Sequence, residues 1–387
     1  MEKDKFVSLT AVGDIMLGWG VDERAKREAI DFPFKNLITI LKNSDITFGN
    51  LEAPLTNAQN KVIWDYSKIL EKPINIHGKI YGNSIFCKGN PKFVESLSLA
   101  GFNILSIANN HIMDYGEKGI NDTIDALIKK NIKPIGAGRN IFEARKPVIF
   151  KIKGVTIGFL AYCDTYVAGK KRAGVAAIKY AKEDVAKLKN EVDYAIVSVH
   201  QGMDIEDYPL PTEVTSMHDI IDSGADIILR HHTHVIQGIE YYNKGVIVYS
   251  LGNFVFDYSI DPLWKDIQES KNSIIFRCKL CSLGIKDVEI IPIHLNENFE
   301  PELHLNEESI KLLDHINNLS SKITSKKLNN AEFNYINIEF LLAYHVIITS
   351  LRKGQFRNIW LIVNRIEINH VKMCLKYIYN FVNKRLF

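Results

Sequence analysis

Short apolar runs that alternate with amphipathic segments are the feature that most constrains the fold of this 387-residue chain. Runs such as FVSLTAVGD (6–14), FNILSIANN (102–110) and DYAIVSVHQG (193–202) have the length and composition of buried strands. The segment GEKGINDTIDALIKKN (116–131) instead repeats its apolar residues at helical spacing. Strands that alternate with helices in this way predict an α/β protein.

The second half of the chain is richer in strands than the first. Three strands are predicted at 245–256, 273–280 and 287–295, and no helical pattern lies between them. Helix-flanked strands followed by consecutive strands predict two sheets packed face to face. The remaining predicted elements are strands at 45–52, 155–164 and 224–230, a short extended segment at 133–138, and helices at 34–44, 91–101, 183–192 and 211–224.

Three histidines stand within RHHTHV, directly after the apolar run GADIILR (224–230). Alternate residues of an extended segment share a face, so His232 and His234 are expected to point one way and His231 the other. Ligands of open α/β sheets bind at the carboxyl ends of the strands. The spacing therefore favours a metal site over a solvated loop for His232 and His234. His231 is interpreted either as a residue that supports the ligands or as a packed imidazole.

Polar side chains that can bind metals follow the ends of five predicted strands. This agreement in residue type is much less expected by chance than one polar residue at a strand end. Carboxylate, amide and imidazole donors together suit Zn, Mn, Fe or Co better than Ca or Mg. The residues are Asp14, Asn50, Glu52, Asn109, Asn110, His111, Asp114, His200, His232 and His234. Asn253, in SLGNF, fits either a supporting or substrate-contacting role or a strand-end turn.

Composition excludes several classes of protein. A chain with 46% hydrophobic and 24% charged residues can bury a large core, which argues against disorder. The formal net charge of +3 gives no sign of nucleic-acid binding. No signal-peptide pattern and no apolar window of membrane-spanning length occurs, so a cytoplasmic location is expected. Seven isolated histidines are interpreted as surface or packed residues: His77, His218, His294, His304, His315, His345 and His370.

The five cysteines are odd in number and scattered, which fits a reducing compartment. Cys278 and Cys281 form a single C-x-x-C motif within a predicted strand, where positions i and i+3 face opposite sides. We therefore interpret them as two strand cysteines rather than as a redox or zinc motif.

Seven sequence blocks resemble, in order, the motifs of the CapA family, also called the poly-γ-glutamate capsule biosynthesis family. This family is similar in fold to calcineurin-like metallophosphoesterases. The resemblance covers about residues 7–300. The blocks are AVGDIMLG, FGNLEAPLT, LSIANNHIMDYGEKGI, IGAGRNIFEARKP, VSVHQGMD, HHTHVIQGIE and YSLGNFVFD.

The resemblance implies a four-layer α/β/β/α sandwich over residues 1–305, with a metal site of one or two ions built from strand-end loops. His111 would act on the substrate, and Asp114, three residues later, could orient its ring. Asn50, Asn109, His231 and Asn253 would support the ligands or contact the substrate. The implied metal ligands are Asp14, Glu52, Asn110, His200, His232 and His234.

The chain departs from the family pattern at positions close to these motifs. Met16 stands where metallophosphoesterases have the histidine of D-x-H, which weakens one of the two metal positions. Arg230 and Thr233 replace the Gly and Pro that flank the family histidines. Gln201 and Asp204 replace its Trp and Glu, and these changes could alter the choice of substrate.

Three functions remain open on the sequence. The favoured one is a metal-dependent hydrolase of a phosphoester, a peptide or an amide-linked polyanionic polymer, with His111 as acid or base. The second is a non-catalytic accessory subunit that works with capsule-synthesis proteins. The third is an epimerase-like enzyme that moves an α-proton of a peptide.

A basic helical extension is predicted for residues 306–387. From Arg352 to Phe387 eight basic residues stand against one acid, and apolar residues recur at helical spacing. We predict a helical hairpin that packs on the catalytic domain and makes weak, salt-sensitive contact with anionic membranes through 352–387.

Overall fold

The structure is a computed structural model that describes residues 6–62, 74–76, 79–81, 85–259 and 267–325. Within these ranges the chain forms the following strands: β1 Val7–Ile15, β2 Ile46–Leu51, β3 Ile74–Ile76, β4 Lys79–Tyr81, β5 Ile104–Ser106, β6 Lys133–Ile135, β7 Ala137–Gly138, β8 Val148–Ile152, β9 Val155–Cys163, β10 Gly174–Val175, β11 Tyr194–His200, β12 Ile227–His231, β13 Ile239–Tyr242, β14 Gly245–Val248, β15 Asn253–Val255, β16 Asn272–Cys281, β17 Gly284–Leu295 and β18 Pro301–Leu303.

The helices alternate with the strands over most of the chain, as the apolar pattern predicts. They are α1 Gly20–Ala25, α2 Ile38–Lys42, α3 Phe93–Ala100, α4 Gly116–Lys129, α5 Ile141–Ala144, α6 Ala181–Lys189, α7 Pro211–Asp222 and α8 Asn306–Thr324.

An eight-stranded sheet holds the first strands of the chain. Its order is β18-β17-β16-β1-β2-β5-β6, and β15 also pairs with β1. The neighbours β1, β2, β5 and β6 run parallel, whereas β16, β17 and β18 are antiparallel to their neighbours. The carboxyl ends of β1, β2 and β5 therefore open at one edge of the sheet, which is where the candidate site residues follow them.

A six-stranded sheet has the order β13-β14-β12-β11-β9-β8, with β9, β11, β12 and β14 parallel. Its register pairs His200 at the end of β11 with His231 on β12 and with Cys163 on β9. Helices α6 and α7 cover this sheet through a buried apolar cluster that includes Leu188 and Met217.

The two sheets contact each other through buried aromatic side chains. Phe48 of β2 stacks on Phe159 of β9, with ring centroids 6.2 Å apart, and both side chains are fully buried. Burying two such rings removes apolar surface from water on both sheets at once. The predicted α/β fold is confirmed, and both sheets share one apolar interior.

Some predicted elements differ from the observed ones. The strand predicted at 245–256 is two strands, because the chain leaves the six-stranded sheet after Val248 and enters the eight-stranded sheet at Asn253. Gly252 supplies the left-handed backbone of this crossing, with φ of 77°. The helix predicted at 34–44 is confined to α2, which a 3-10 turn at Phe32–Phe34 precedes. Edge strands β8 and β13 were not predicted, since β8 is only half-buried and β13 is short.

Gly13 is the residue at which β1 lies closest to the crossing segment. A Cβ atom at this position would lie 1.9 Å from the carbonyl oxygen of Gly252, far inside van der Waals contact with rigid backbone. We expect Gly13→Ala to lower the free energy of unfolding by about 3 kcal/mol or more, because overpacking here must move a strand. Chemical denaturation measures this. Gly169→Ala is the control, since its Cβ would lie 3.5 Å from the nearest atom, and equal midpoints for the two variants would contradict the expectation.

Cys278 and Cys281 both lie in β16 and both are buried free thiols, which confirms their interpretation as strand cysteines. Burial raises the pKa of the Cys278 thiol to about 12.

Residues 1–62 and 86–328 form one compact unit, which includes α8. This helix packs on β13: the backbone N–H of Ile239 donates to Ser320 Oγ at 2.8 Å, and Ile316 and Leu319 are buried. The second unit comprises 63–85 and 329–387, and the hairpin of β3 and β4 is its described part. The division predicted at residue 305 stays a prediction. The hairpin and membrane contact predicted for 352–387 lie outside the described residues, as do His77, His345 and His370.

Among the described residues, no helix combines the length and the apolar character that crossing a bilayer requires.

Candidate metal centre

Strand ends from both sheets bring the predicted site residues together. Asp14 is the penultimate residue of β1 and Glu52 follows β2, while His200 ends β11 and His234 lies three residues beyond β12. All four side chains are at most 2% exposed. The cluster is therefore a buried group of acids and imidazoles at the junction of the two sheets.

Asp14 is held by several donors. Its Oδ1 accepts a hydrogen bond from Asn50 Nδ2 at 2.8 Å and lies 3.2 Å from His231 Nδ1. Its Oδ2 accepts from the backbone N–H of His232 at 3.2 Å. Burial alone would raise the pKa of Asp14, but the hydrogen bond from His231 and the surrounding imidazoles outweigh it and hold that pKa well below its usual range. The residue is a carboxylate at neutral pH.

Glu52 is the most informative side chain of the cluster. Neither of its carboxylate oxygens has a hydrogen-bond partner among the residues that the structure describes, although the side chain is fully buried. Oε1 lies 3.4 Å from His200 Nε2 and 3.7 Å from His234 Nε2. Burial and the nearby carboxylates of Asp14 and Asp204 raise the pKa of Glu52 well above its usual range. A buried acid without hydrogen bonds costs free energy unless a cation compensates it.

His200 is positioned by two asparagines. Its Nδ1 is 3.2 Å from Asn50 Nδ2, and its Nε2 is 2.9 Å from Asn110 Oδ1. Burial, followed by the charge of neighbouring His232, lowers the pKa of His200 well below its usual value. The imidazole is therefore neutral, which is the form that binds a metal.

His232 and His234 both reach the cluster, but not by the alternation of a strand. The strand β12 ends at His231, and the next residues turn through the left-handed region, with φ of 100° at His232 and 59° at His234. The sequence predicted that strand alternation orients the two rings. This reason was wrong, because the two residues lie in a turn after the strand, and the left-handed backbone orients the rings. The rings of His200 and His232 lie 4.7 Å apart between centroids.

Asn253 orients the ring of His234. Its Nδ2 donates to the carbonyl oxygens of His234 and Ser270, which leaves Oδ1 facing His234 Nδ1 at 2.9 Å. His234 therefore donates through Nδ1 and presents the Nε2 lone pair towards Glu52. Burial lowers the pKa of His234, so this ring too favours the neutral form.

His231 lies behind Asp14. Its side chain is buried, its ring centroid is 6.0 Å from that of Phe48, and its Nδ1 faces the Asp14 carboxylate. The ring therefore packs near Phe48 on one side and contacts the Asp14 carboxylate on the other.

The turn after β5 places four of the predicted residues. Asn109 stabilises the turn, because its Oδ1 accepts from the backbone N–H groups of His111 and Ile112 and its Nδ2 donates to Leu51 O. His111 is more exposed than Asp114: 13% of the His111 side chain is accessible to solvent, and none of the Asp114 side chain is. His111 Nδ1 lies 2.8 Å from Asp114 Oδ2. Asn110 points to His200, as described above.

Three groups of donor atoms, each within 4.8 Å of one another, overlap in this cluster. They are Asp14, Glu52 and His234; Glu52, His200 and His232; and Asp204, His232 and His234. Carboxylates, neutral imidazoles and the buried Glu52 without hydrogen bonds form a donor set that fits a divalent transition-metal ion.

Comparison with known proteins agrees with this arrangement of motifs. A model of the bacterial capsule synthesis protein family PGA_cap matches residues 8–258. The chain belongs to this family. It is 32% identical over 301 residues to the capsule biosynthesis protein CapA of Bacillus anthracis, covering 75% of this chain and 68% of that protein.

Two further relatives are similar over comparable lengths. The PGA biosynthesis protein CapA of Bacillus subtilis is 32% identical over 301 residues, or 76% of this chain and 73% of that protein. A probable polyglutamine synthesis accessory protein of Mycobacterium tuberculosis is 29% identical over 287 residues, or 65% of this chain and 75% of that protein.

Asp204 is a donor that sequence reasoning did not include among the ligands. The side chain is 51% exposed, and its Oδ1 lies 3.8 Å from His232 Nδ1. The signal was present, since an acid four residues after His200 begins a loop at the same edge. Met16, in contrast, is buried with its sulfur 3.1 Å from the backbone nitrogen of Gly18, so it supports a turn.

Two of the residues at which the chain departs from the CapA pattern, Arg230 and Gln201, contact each other. Arg230 is fully buried, and its Nη2 donates to Gln201 O at 3.0 Å and to Glu213 Oε2 at 2.8 Å. The backbone N–H of Ile205 donates to Thr233 O at 2.8 Å. The loop that carries Asp204 is thereby attached to the loop that carries the histidines.

Arg230→Met is expected to lower the free energy of unfolding by about 3–5 kcal/mol, because it leaves the buried Glu213 carboxylate without its cation. Urea denaturation measures the loss. The double variant Arg230→Met with Glu213→Gln is expected to recover much of it, since no charge then remains buried. A single variant as stable as the unaltered protein would show that the pair has no structural role.

Proposed function

We propose that the chain is a metal-dependent hydrolase of the CapA type that acts in poly-γ-glutamate or capsule polymer metabolism. The observation that carries the proposal is the fully buried Glu52 carboxyl group, whose oxygens have no hydrogen-bond partner among the described residues and which lies among donors from the ends of β1, β11 and β12. Within this proposal the two sheets and their covering helices form the four-layer α/β/β/α sandwich of metallophosphoesterases, with the site at its open edge.

The proposed ligands are Asp14, Glu52, Asn110, His200, His232 and His234, with Asp204 added from the geometry. When bound, one or two ions such as Mn, Zn, Fe or Co supply Lewis acidity, which polarises a substrate oxygen and lowers the pKa of water. Asn50 and Asn253 orient ligand side chains through the hydrogen bonds described above, and His231 supports Asp14.

His111 is proposed to move the proton of the reaction. Its Nδ1 is engaged by Asp114 Oδ2 at 2.8 Å, so Nε2 is the atom left to exchange a proton with a substrate. The buried Asp114 fixes the ring, because its Oδ2 is itself held by the backbone N–H of Cys87 at 2.8 Å. Partial exposure of His111 gives a substrate access to this atom.

An accessory role is the second candidate, and one relative is named as a probable synthesis accessory protein. In that case capsule-synthesis proteins are the partners and the metal centre holds the two sheets together without turnover. A cytoplasmic location with weak membrane contact through 352–387 fits either function and is proposed with it.

One experiment separates these functions. Full-length protein loaded with manganese is incubated with bis-p-nitrophenyl phosphate and with poly-γ-glutamate in deuterated water. We expect release of nitrophenol or shortening of the polymer, and its loss in Glu52→Gln or after chelation. A metal-loaded protein that cleaves neither substrate would contradict the hydrolase and favour the accessory role. Deuterium at α-carbons without cleavage would instead support the epimerase-like alternative.

A further inference from the structure

Cys87, His111 and Asp114 form a second group of donor atoms, separate in membership from the candidate metal centre. One donor atom of each lies within 4.8 Å of the others. Cys87 is 1% exposed and Asp114 is fully buried, whereas part of the His111 ring reaches the surface. A thiol, an imidazole and a carboxylate thus meet at a site that an ion can reach along His111.

Asp114 holds this group in place. Its Oδ2 accepts the backbone N–H of Cys87 at 2.8 Å and lies 2.8 Å from His111 Nδ1. Tetrahedral zinc with its usual bond lengths sets nitrogen and oxygen ligands roughly 3.4 Å apart. The His111–Asp114 contact therefore has to open by only roughly 0.6 Å to admit an ion. Side-chain rotation supplies a movement of this size without moving the backbone.

The charges of the group balance those of a divalent ion. A Cys87 thiolate and the Asp114 carboxylate carry two negative charges, and neutral His111 adds none, so the occupied site is uncharged. Binding releases the thiol proton to solvent. A thiolate ligand selects soft ions over Mn²⁺ or Mg²⁺.

We propose that Cys87, His111 and Asp114 bind a soft divalent cation of the zinc or cadmium class, and that this ion inhibits the protein. Occupation opens the His111–Asp114 contact and fixes the His111 ring on the ion, so the ring is no longer held for a substrate as the proposed function requires. The inhibitory half rests on the proposed function; the binding half does not.

Cadmium binding tests the site directly. Cadmium is titrated into manganese-loaded full-length protein, and bound cadmium and the ultraviolet thiolate-to-cadmium absorption are measured. We expect one cadmium with this absorption in the unaltered protein, and its loss in Cys87→Ser, which keeps the backbone N–H to Asp114. Cys278→Ser and Cys281→Ser are matched controls that retain the absorption, since both are buried thiols of β16 and neither belongs to a donor group among the described residues.

The outcomes are distinct. Absorption that persists at full strength in a Cys87→Ser protein of unchanged melting temperature, or that is absent from the unaltered protein, overturns the site. Where turnover is measurable, cadmium or zinc is expected to inhibit the unaltered protein at least tenfold more strongly than Cys87→Ser. Equal inhibition of both overturns the inhibitory half. A protein without turnover contradicts the proposed function, while the absorption still decides the site.

Discussion

A variant in which His232 and His234 are both alanine is expected to lose most of the transition metal that the unaltered protein carries. Each of the three overlapping donor groups of the centre contains at least one of these two residues. Removing both leaves none of these groups with the three protein donors that hold the ion in catalytic zinc sites. Elemental analysis of the purified proteins gives the metal content for each chain.

The control for this variant is the pair His218→Ala and His294→Ala. His218 pairs with Glu240 at 2.8 Å and His294 with Glu302 at 3.6 Å, and neither belongs to the donor groups found among the described residues. This control has the same number of histidines removed and should keep its metal. Full metal content in the His232 and His234 variant would remove the central claim of a metal centre here.

His111→Ala should leave the manganese content of manganese-loaded protein unchanged and lower turnover by about 10²–10⁴-fold, the range for a lost general acid or base. The separation is expected because His111 pairs with Asp114 and lies in none of the three donor groups of the centre. Steady-state kinetics on the substrate that the unaltered protein cleaves, with metal analysis of the same preparation, measures both quantities.

His304→Ala serves as the matched control, since His304 contacts Asn272 at 2.9 Å, near the end of β18, and lies outside the donor groups of the described residues. It should retain full turnover. Equal rates for His111→Ala and the unaltered protein would return His111 to a structural role. Loss of manganese from His111→Ala would show instead that the ring supports the centre.

The fold class could be predicted because the buried strands are apolar runs, and amphipathic helical segments separate those in the first half of the chain. Strand ends also marked Asp14, Glu52 and His200 as neighbours, since parallel strands open at one edge. The path of 245–256 could not be predicted. The segment stays apolar where the chain passes from one sheet to the other, and Gly252 is the residue that marks the crossing.

Other parts of the site depend on long-range packing that spacing does not reveal. The orientation of His232 and His234 comes from left-handed backbone in a loop, which period-2 reasoning cannot describe. The burial of Arg230 could not be predicted either, because its partner Glu213 lies on the helix before β12. Asp204 belongs to a donor group of the centre because its loop is hydrogen-bonded to the loop that carries the histidines. The ligand roles of the predicted residues stay proposals until metal is measured.

The donors of the centre come from both sheets, and Asp14 and His234 are about 220 residues apart in sequence. Closing so long a loop is entropically costly, so these donors meet only late in folding, after both sheets have docked. An ion that binds only the docked form would stabilise the contact between the two sheets. The melting temperature would then rise with the logarithm of the ion concentration. Metal retention would then report on the assembly of the whole two-sheet unit, and a nascent chain would become metal-competent only after the ribosome had released residues beyond Asn253.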